Sequence, residues 1–215
     1  MIIPAILESS VFAIQEKVKR LKVVGVERIH VDIIDGMFTD NLTPDAVDLF
    51  DIDFGNLAVD LHLMVEEPIN MIDDAEALRK QVSALRVIAQ VERMSNQMEF
   101  IRESRKAQCD VGFALDLYTP ISSIESDLLA RVDCVLVMSV KAGFSGQQFQ
   151  DSVIGKIQEI RTRGFQGDLI MDGGEDPTHI QMTKKAGATS FAVTSFLWEH
   201  TDIREALKDL RDAEK

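Results

Sequence analysis

Eight short apolar runs alternate with amphipathic stretches almost to the end of this chain, and that alternation is the strongest constraint on its fold. The runs are Ile2–Ile6, Arg28–Ile33, Leu57–Leu63, Ala84–Gln90, Asp110–Ala114, Cys134–Met138, Asp168–Met171 and Ser190–Val193. Each is a few residues long and rich in Val, Ile and Leu, as strands buried on both faces of a parallel sheet are. Between them, Val11, Ile14, Val18 and Leu21 share one helical face, and Gly25 ends that helix. Val153, Ile157 and Ile160 repeat the pattern behind Asp151 and Ser152, with Gly164 as the stop. Ile203, Leu207 and Leu210 do so behind Thr201, which is expected to cap the last helix. Pro68 suits the first turn of another. The helix near Pro44–Phe50 and the fifth helix are short.

A helix–Gly–strand unit recurs in KVVGVERIHVDI, RTRGFQGDLIMD and KKAGATSFAVTS. Eight units in 215 residues leave about 27 residues each, close to the minimum for a strand plus a crossover helix. No Pro/Gly/Ser-rich linker divides the chain. The expected fold is therefore α/β, a single (βα)8 TIM barrel domain over residues 1–215. An open doubly wound sheet is the alternative.

Charge excludes some functions. Lys plus Arg number 23 against 36 Asp plus Glu, a net charge of −13, and no Lys/Arg run exceeds a pair, so nucleic acid is not an expected partner. No apolar run has the length of a membrane span, so no membrane is expected either. The N-terminal MIIPAILESS lacks a basic segment and a secretory apolar core. Cys109 and Cys134 are too few for a disulfide framework. The expected location is the reducing cytoplasm, with both cysteines buried.

In a barrel, chemistry sits where the strands end. His30 and Asp32 are two apart on the second strand and so point to the same side, into the barrel near its top. An ionised Asp there is costly unless paired or bound to metal. His62 ends the third strand, and Asp172 ends the seventh, before Gly173 and Gly174. Singly, each is more readily a hydrogen-bonded core His or a capping Asp. Together they would make a site for one divalent metal ion, with imidazole plus carboxylate suiting Zn, Fe, Co or Mn. Gly143 and Gly146 follow the sixth strand, and Thr194 and Ser195 follow the eighth. With Gly173 and Gly174 they could bring backbone N–H groups to a phosphate or simply form turns. Met64 and Met138 could shape a pocket or pack the core. His179 and His200 suit solvated or capping roles.

These residues, in this order, resemble the ribulose-phosphate 3-epimerase family over nearly the whole chain. The resemblance is carried by Pro4-Ala5-Ile6-Leu7, IHVDIIDGMF with Asn41-Leu42-Thr43, DLHLMV, VMSVKAGFSGQ, MDGG and AVTS. It implies a ribulose-phosphate-binding barrel that inverts the carbon next to a ketone in a phosphorylated ketopentose. His30, Asp32, His62 and Asp172 match the family's metal ligands. Asp32 and Asp172 match its acid/base pair, on opposite faces of a substrate whose enediolate oxygens the metal stabilises. The chemistry explains the set, because a C–H beside a ketone is a poor acid and inversion needs a base on each face. The resemblance also implies a substrate shell of Met64, Gly143, Phe144, Ser145, Gly146, Gly173, Gly174, Thr194 and Ser195, and a homo-oligomer.

The chain departs from the family pattern, which has Ser at Ala5, His at Gln90, Pro at Ala142, Gly at Ser145, Gly at Thr194 and Met at Ile34. The implied function is a metal-dependent ketose-phosphate 3-epimerase of the pentose phosphate pathway, interconverting D-ribulose 5-phosphate and D-xylulose 5-phosphate. The alternatives are an epimerase of another sugar or sugar phosphate, suggested by the altered loops, and a non-catalytic ligand-binding paralogue.

Overall fold

The structure is a computed structural model describing residues 1–215. Eight parallel strands close into a barrel in sequence order: β1 (Ile2–Ile6), β2 (Arg28–Ile34), β3 (Ala58–Met64), β4 (Ala84–Gln90), β5 (Asp110–Leu115), β6 (Cys134–Met138), β7 (Asp168–Asp172) and β8 (Ser190–Val193). Pairing of Ile2, Ile3 and Pro4 in β1 with Phe191, Ala192 and Val193 in β8 closes the sheet, which an open doubly wound sheet lacks.

Seven α-helices pack outside it: α1 (Val11–Val23), α2 (Ile72–Arg79), α3 (Gln97–Lys106), α4 (Val153–Thr162), α5 (Pro177–Ala186), α6 (Ser195–Glu199) and α7 (Ile203–Ala213). The two crossovers that read as short hold only 3-10 turns, at Ala46–Asp51 after β2 and at Ile121–Ser123 and Leu129–Arg131 after β5. Pro68 opens the 3-10 turn Pro68–Met71 that runs directly into α2. Ser10 caps α1, and Gly25 follows its end in the left-handed conformation, φ +70°. The cap of α7 is Asp202, whose carboxylate accepts from Arg204 N at 2.8 Å, and not Thr201. A carboxylate reaches the free N–H groups of a first turn at least as well as a hydroxyl and adds charge that suits the helix dipole.

Strand alternation sorts the side chains into two cores. Outward residues such as Ile29, Val31, Leu61, Val87, Phe113 and Val137 join the shell between sheet and helices. Inward residues such as Ile34, Met64, Ile88, Ala114, Leu136 and Ile170 form a separate, smaller cluster in the lumen. Cys109 lies in the outer core and Cys134 in the lumen, and burial pushes their thiols up to about 11 and about 12.

The floor of the lumen is ionic. Asp60 on β3 accepts from Arg86 Nε at 3.0 Å and Arg86 Nη2 at 2.5 Å, and it also holds Arg28. Arg86 Nη1 continues to Asp168 at 2.8 Å, where Ser190 and Thr189 donate to the same carboxylate. Asp60 is fully buried and Arg86 nearly so. Arg86→Met leaves Asp60 with Arg28 alone, and breaking such a buried pair typically costs about 3–5 kcal/mol. Urea unfolding is expected to show that loss with far-UV circular dichroism unchanged. A loss below about 1 kcal/mol would mean that the network behaves like a solvated surface pair.

Candidate functional site

The strand register delivers the four metal-type side chains to one point. His30 and Asp32 lie in phase on β2, Asp32 is level with His62 on the neighbouring β3, and Asp172 ends β7. One ligand atom from each of the four lies within 4.8 Å of all the others. His62 Nδ1 is 3.0 Å from Asp32 Oδ1 and 3.4 Å from Asp172 Oδ2. His30 Nε2 is 3.3 Å from Asp32 Oδ1 and 3.9 Å from Asp172 Oδ2. All four are buried. The end of β2 is pinned by Thr43, whose hydroxyl donates to Asp32 O at 3.0 Å and accepts from Ile34 N at 2.8 Å.

The cluster can hold a metal ion. Neither ring nitrogen of His30 finds a hydrogen-bond partner, because the Asp32 contact lies off the donor direction. A buried imidazole without partners, beside two carboxylates, is an unsatisfied donor set. The electrostatics agree. Burial alone would raise the Asp32 carboxyl, but the imidazoles of His30 and His62 beside it outweigh that and hold the group well below the usual carboxylate range. Burial alone would depress His62, but Asp172 and Asp32 outweigh it and lift its imidazole to about 9. A proton on His62 thus occupies the place of a cation, and metal uptake would release it.

Above the quartet opens a cavity of about 320 Å³, with Asp32 and Asp172 in its lining. Met64, Gly143, Phe144, Ser145, Gly146, Gly173, Gly174, Thr194 and Ser195 all line it, so the barrel brings together every residue of the expected substrate shell. The loop over one side is tied down by its neighbours. Asn41 Nδ2 donates to Gly143 O at 2.6 Å, Gly146 N donates to Ser195 Oγ at 3.1 Å, and Gln147 Nε2 donates to Lys141 O at 2.7 Å. Gly143 has φ +107°, and a Cβ there would strike Thr39. Gly173 has φ +103°, and a Cβ there would strike Val140. Both turns therefore need glycine. His179 braces the second of them, donating from Nδ1 to Gly174 O at 2.9 Å while stacked on Phe149. His200 accepts from Asp202 N at 3.2 Å, a capping contact. Met138 also lines the cavity, along with Leu7, Val140, Gln147, Phe196 and Glu199.

Residues 1–198 match the sequence profile of the Ribulose-phosphate 3 epimerase family. The chain belongs to the ribulose-phosphate 3-epimerase family. It is 30% identical to the "Ribulose-5-phosphate-3-epimerase, chloroplastic" of Arabidopsis thaliana, over 99% of its own length and 76% of that protein's. It is 27% identical to the "Ribulose-phosphate 3-epimerase" of Escherichia coli (strain K12), over 98% of its own length and 94% of that protein's. Among solved structures, phosphoribosyl anthranilate isomerase from Thermus thermophilus superposes with a TM-score of 0.62 at 13% identity, covering 99% of this chain and 98% of that one, which shows a shared fold. Proteins of the family are carbohydrate epimerases, so this chain is an isomerase. No helix is long and apolar enough to cross a membrane.

Two residues that border this site were not legible as part of it. Gln90, noted only as a departure, is buried against His62. Glu175 directly follows the two glycines, lines the cavity and is 4% exposed, yet neither carboxylate oxygen has a partner. No local signal marks it, because its burial comes from how the loop after β7 packs against Phe149 and His179. Burial first, and then Asp172 and Asp176, push the Glu175 carboxyl well above its ordinary value of 4.5. A carboxyl that binds its proton more tightly in the folded chain makes stability fall as pH rises from 4.5 toward the raised value. Glu175→Gln removes that charge while keeping the shape. In metal-free protein the variant is expected to melt higher than the parent at about pH 8, with the difference vanishing near pH 4. An equal difference at both pH values would show that Glu175 is not the cause.

Proposed function

We propose that this protein is a metal-dependent ketose-phosphate 3-epimerase interconverting D-ribulose 5-phosphate and D-xylulose 5-phosphate. The observation that carries this reading is the pair of buried carboxylates, Asp32 and Asp172, which both line one cavity directly above two histidines. Inversion at carbon next to a ketone requires a proton to leave one face and another to arrive on the opposite face. Asp32 and Asp172 rise from strands β2 and β7, separated round the barrel by β1 and β8, and so address a bound ketose from two sides. One takes the C3 proton, and the other returns a proton to the opposite face. His30, Asp32, His62 and Asp172 would hold a single divalent ion, Zn, Fe, Co or Mn by donor type. When bound, that ion supplies Lewis-acid stabilisation of the negative charge developing on the substrate oxygens.

The rest of the cavity binds and orients the substrate. Met64 sits at its apolar floor, and Phe144, half exposed at its rim, covers the sugar. Gly143, Ser145, Gly173, Gly174 and Thr194 offer backbone N–H groups and hydroxyls to the phosphate, and Gly146, whose N–H is taken by Ser195 Oγ, orients the Ser195 hydroxyl to donate to that phosphate. Thr194 is available for this, since its side chain caps nothing. In this reading residues 1–215 are one catalytic domain, working as a homo-oligomer in the cytoplasm within pentose phosphate metabolism.

One observation favours a second reading with the same chemistry. No Lys or Arg lines the cavity, while Glu175, Asp176 and Glu199 do. An acidic wall suits a ketose of lower negative charge than a pentose phosphate.

Asp172→Asn is expected to lower kcat on D-ribulose 5-phosphate by about 10²–10⁴-fold, the usual worth of a positioned acid or base, with the melting profile of a folded barrel. Chelation should abolish turnover of the parent, and added Zn²⁺ or Co²⁺ should restore it. Full activity in Asp172→Asn would overturn the two-base reading. A metal-loaded parent that epimerises an unphosphorylated ketose faster than D-ribulose 5-phosphate would move the assignment to the second reading.

A further inference from the structure

Gln90 ends β4 inside the lumen with 0% exposure. Its side-chain amide lies against His62, with amide nitrogen and ring Nε2 3.0 Å apart, while Gln90 Oε1 is buried with no partner at all. Two nitrogens at that distance attract only if one of them is bare. With the amide nitrogen as donor, His62 Nε2 must be unprotonated, which in the singly protonated ring that a metal site requires puts the proton on Nδ1. Nδ1 is the atom that faces Asp32 at 3.0 Å and Asp172 at 3.4 Å, and it is the atom His62 contributes to the quartet. A protonated Nδ1 cannot ligate a cation.

The other orientation of the amide resolves both difficulties. The two ends of a glutamine amide are distinguished by their hydrogen bonds. Turned by half a rotation, Gln90 brings Oε1 to His62 Nε2. The unpartnered oxygen then accepts from Nε2–H, and Nδ1 keeps its lone pair for a cation. We propose that Gln90 is a positioning residue, whose carbonyl oxygen holds His62 in the Nε2–H tautomer and so commits Nδ1 to the divalent metal. This rests on the reading of the quartet as a metal site. Imidazole ligands generally need an acceptor on the far ring nitrogen, which fixes the ring and raises its donor strength. Nothing else within hydrogen-bonding distance of His62 Nε2 fills that place.

The test is metal binding without substrate. Zn²⁺ affinity would be measured by competition with a chromophoric chelator for the parent, Gln90→Leu and Gln90→Glu, with Co²⁺ absorption spectra of the same three proteins. Gln90→Leu is expected to bind Zn²⁺ about 10–100-fold more weakly and to show an altered Co²⁺ spectrum. Gln90→Glu, which keeps an acceptor at Nε2, is expected to recover the parent's affinity. In ¹⁵N-labelled, Zn²⁺-loaded parent, the His62 ring proton should be found on Nε2, a measurement that needs no variant to fold. Parental affinity in Gln90→Leu, or a loaded His62 protonated on Nδ1, would overturn the role of Gln90 while leaving the metal site standing. A parent that binds neither Zn²⁺ nor Co²⁺ would overturn both.

Discussion

A side chain on a strand of a closed parallel barrel has two destinations, the helix-covered outside or the lumen, and alternation decides which. In this chain the polar positions all share the inward phase. Arg28, His30 and Asp32 follow each other at two-residue steps on β2, as do Asp60 and His62 on β3, and Arg86 and Gln90 lie four apart on β4. The outward phase of the same strands is apolar, with Ile29, Val31, Ile33, Val59, Leu61, Leu63, Leu85, Val87 and Ala89. A one-residue slip in any of these strands would put charges into the helix interface and aliphatic groups into the site. Register is thus held by both cores at once, and the position of each site residue follows from it.

The same constraint makes the two ends of the lumen physically different. Desolvated charges must find partners. At the bottom they find them within the chain, since Arg28, Arg86, Asp60 and Asp168 form one network completed by Ser190 and Thr189. At the top the bookkeeping of donors and acceptors stays open. His30 has no hydrogen bond, Gln90 Oε1 has none, and Glu175 has none on either oxygen. Groups left unsatisfied at a site and satisfied elsewhere mark where stability has been given up for function. A divalent cation would address the first two together, the first directly and the second through the proposed tautomer of His62.

Much of this was readable from residue order. Eight apolar runs located all eight strands to within a residue or two, because strands buried on both faces carry continuous Val/Ile/Leu character that loops do not. The quartet was readable because Asp32, His62 and Asp172 sit at or near the C-terminal ends of strands in a βα repeat and His30 shares the inward phase of Asp32 on β2. The capping residue of α7 was misplaced by one position, since Thr201 and Asp202 are both good caps and only the backbone conformation chooses between them. The ionic floor went unread, although Asp60 precedes His62 by two residues and Arg28 precedes His30 by two, in the phase already assigned to the lumen. Glu175 was unreadable for another reason. Its burial depends on how the loop after β7 folds back beneath Phe149 and His179, a long-range contact with no local signature.

Strands and loops also contribute differently to the site. Asp32 and Asp172 are placed by strands whose register closes the barrel, so their geometry is fixed with the barrel itself. The wall is made by loops, where Ser145, Thr194 and Glu175 can change without disturbing a strand. A phosphate at that wall would have to be held by N–H groups and hydroxyls against the field of nearby carboxylates, with no Lys or Arg in the lining. A hydroxyl-bearing end would meet no such opposition. In the proposed reaction, proton transfer beside a ketone is therefore rooted in the barrel, and the choice of ketose would turn on a few side chains in the loops after β6, β7 and β8.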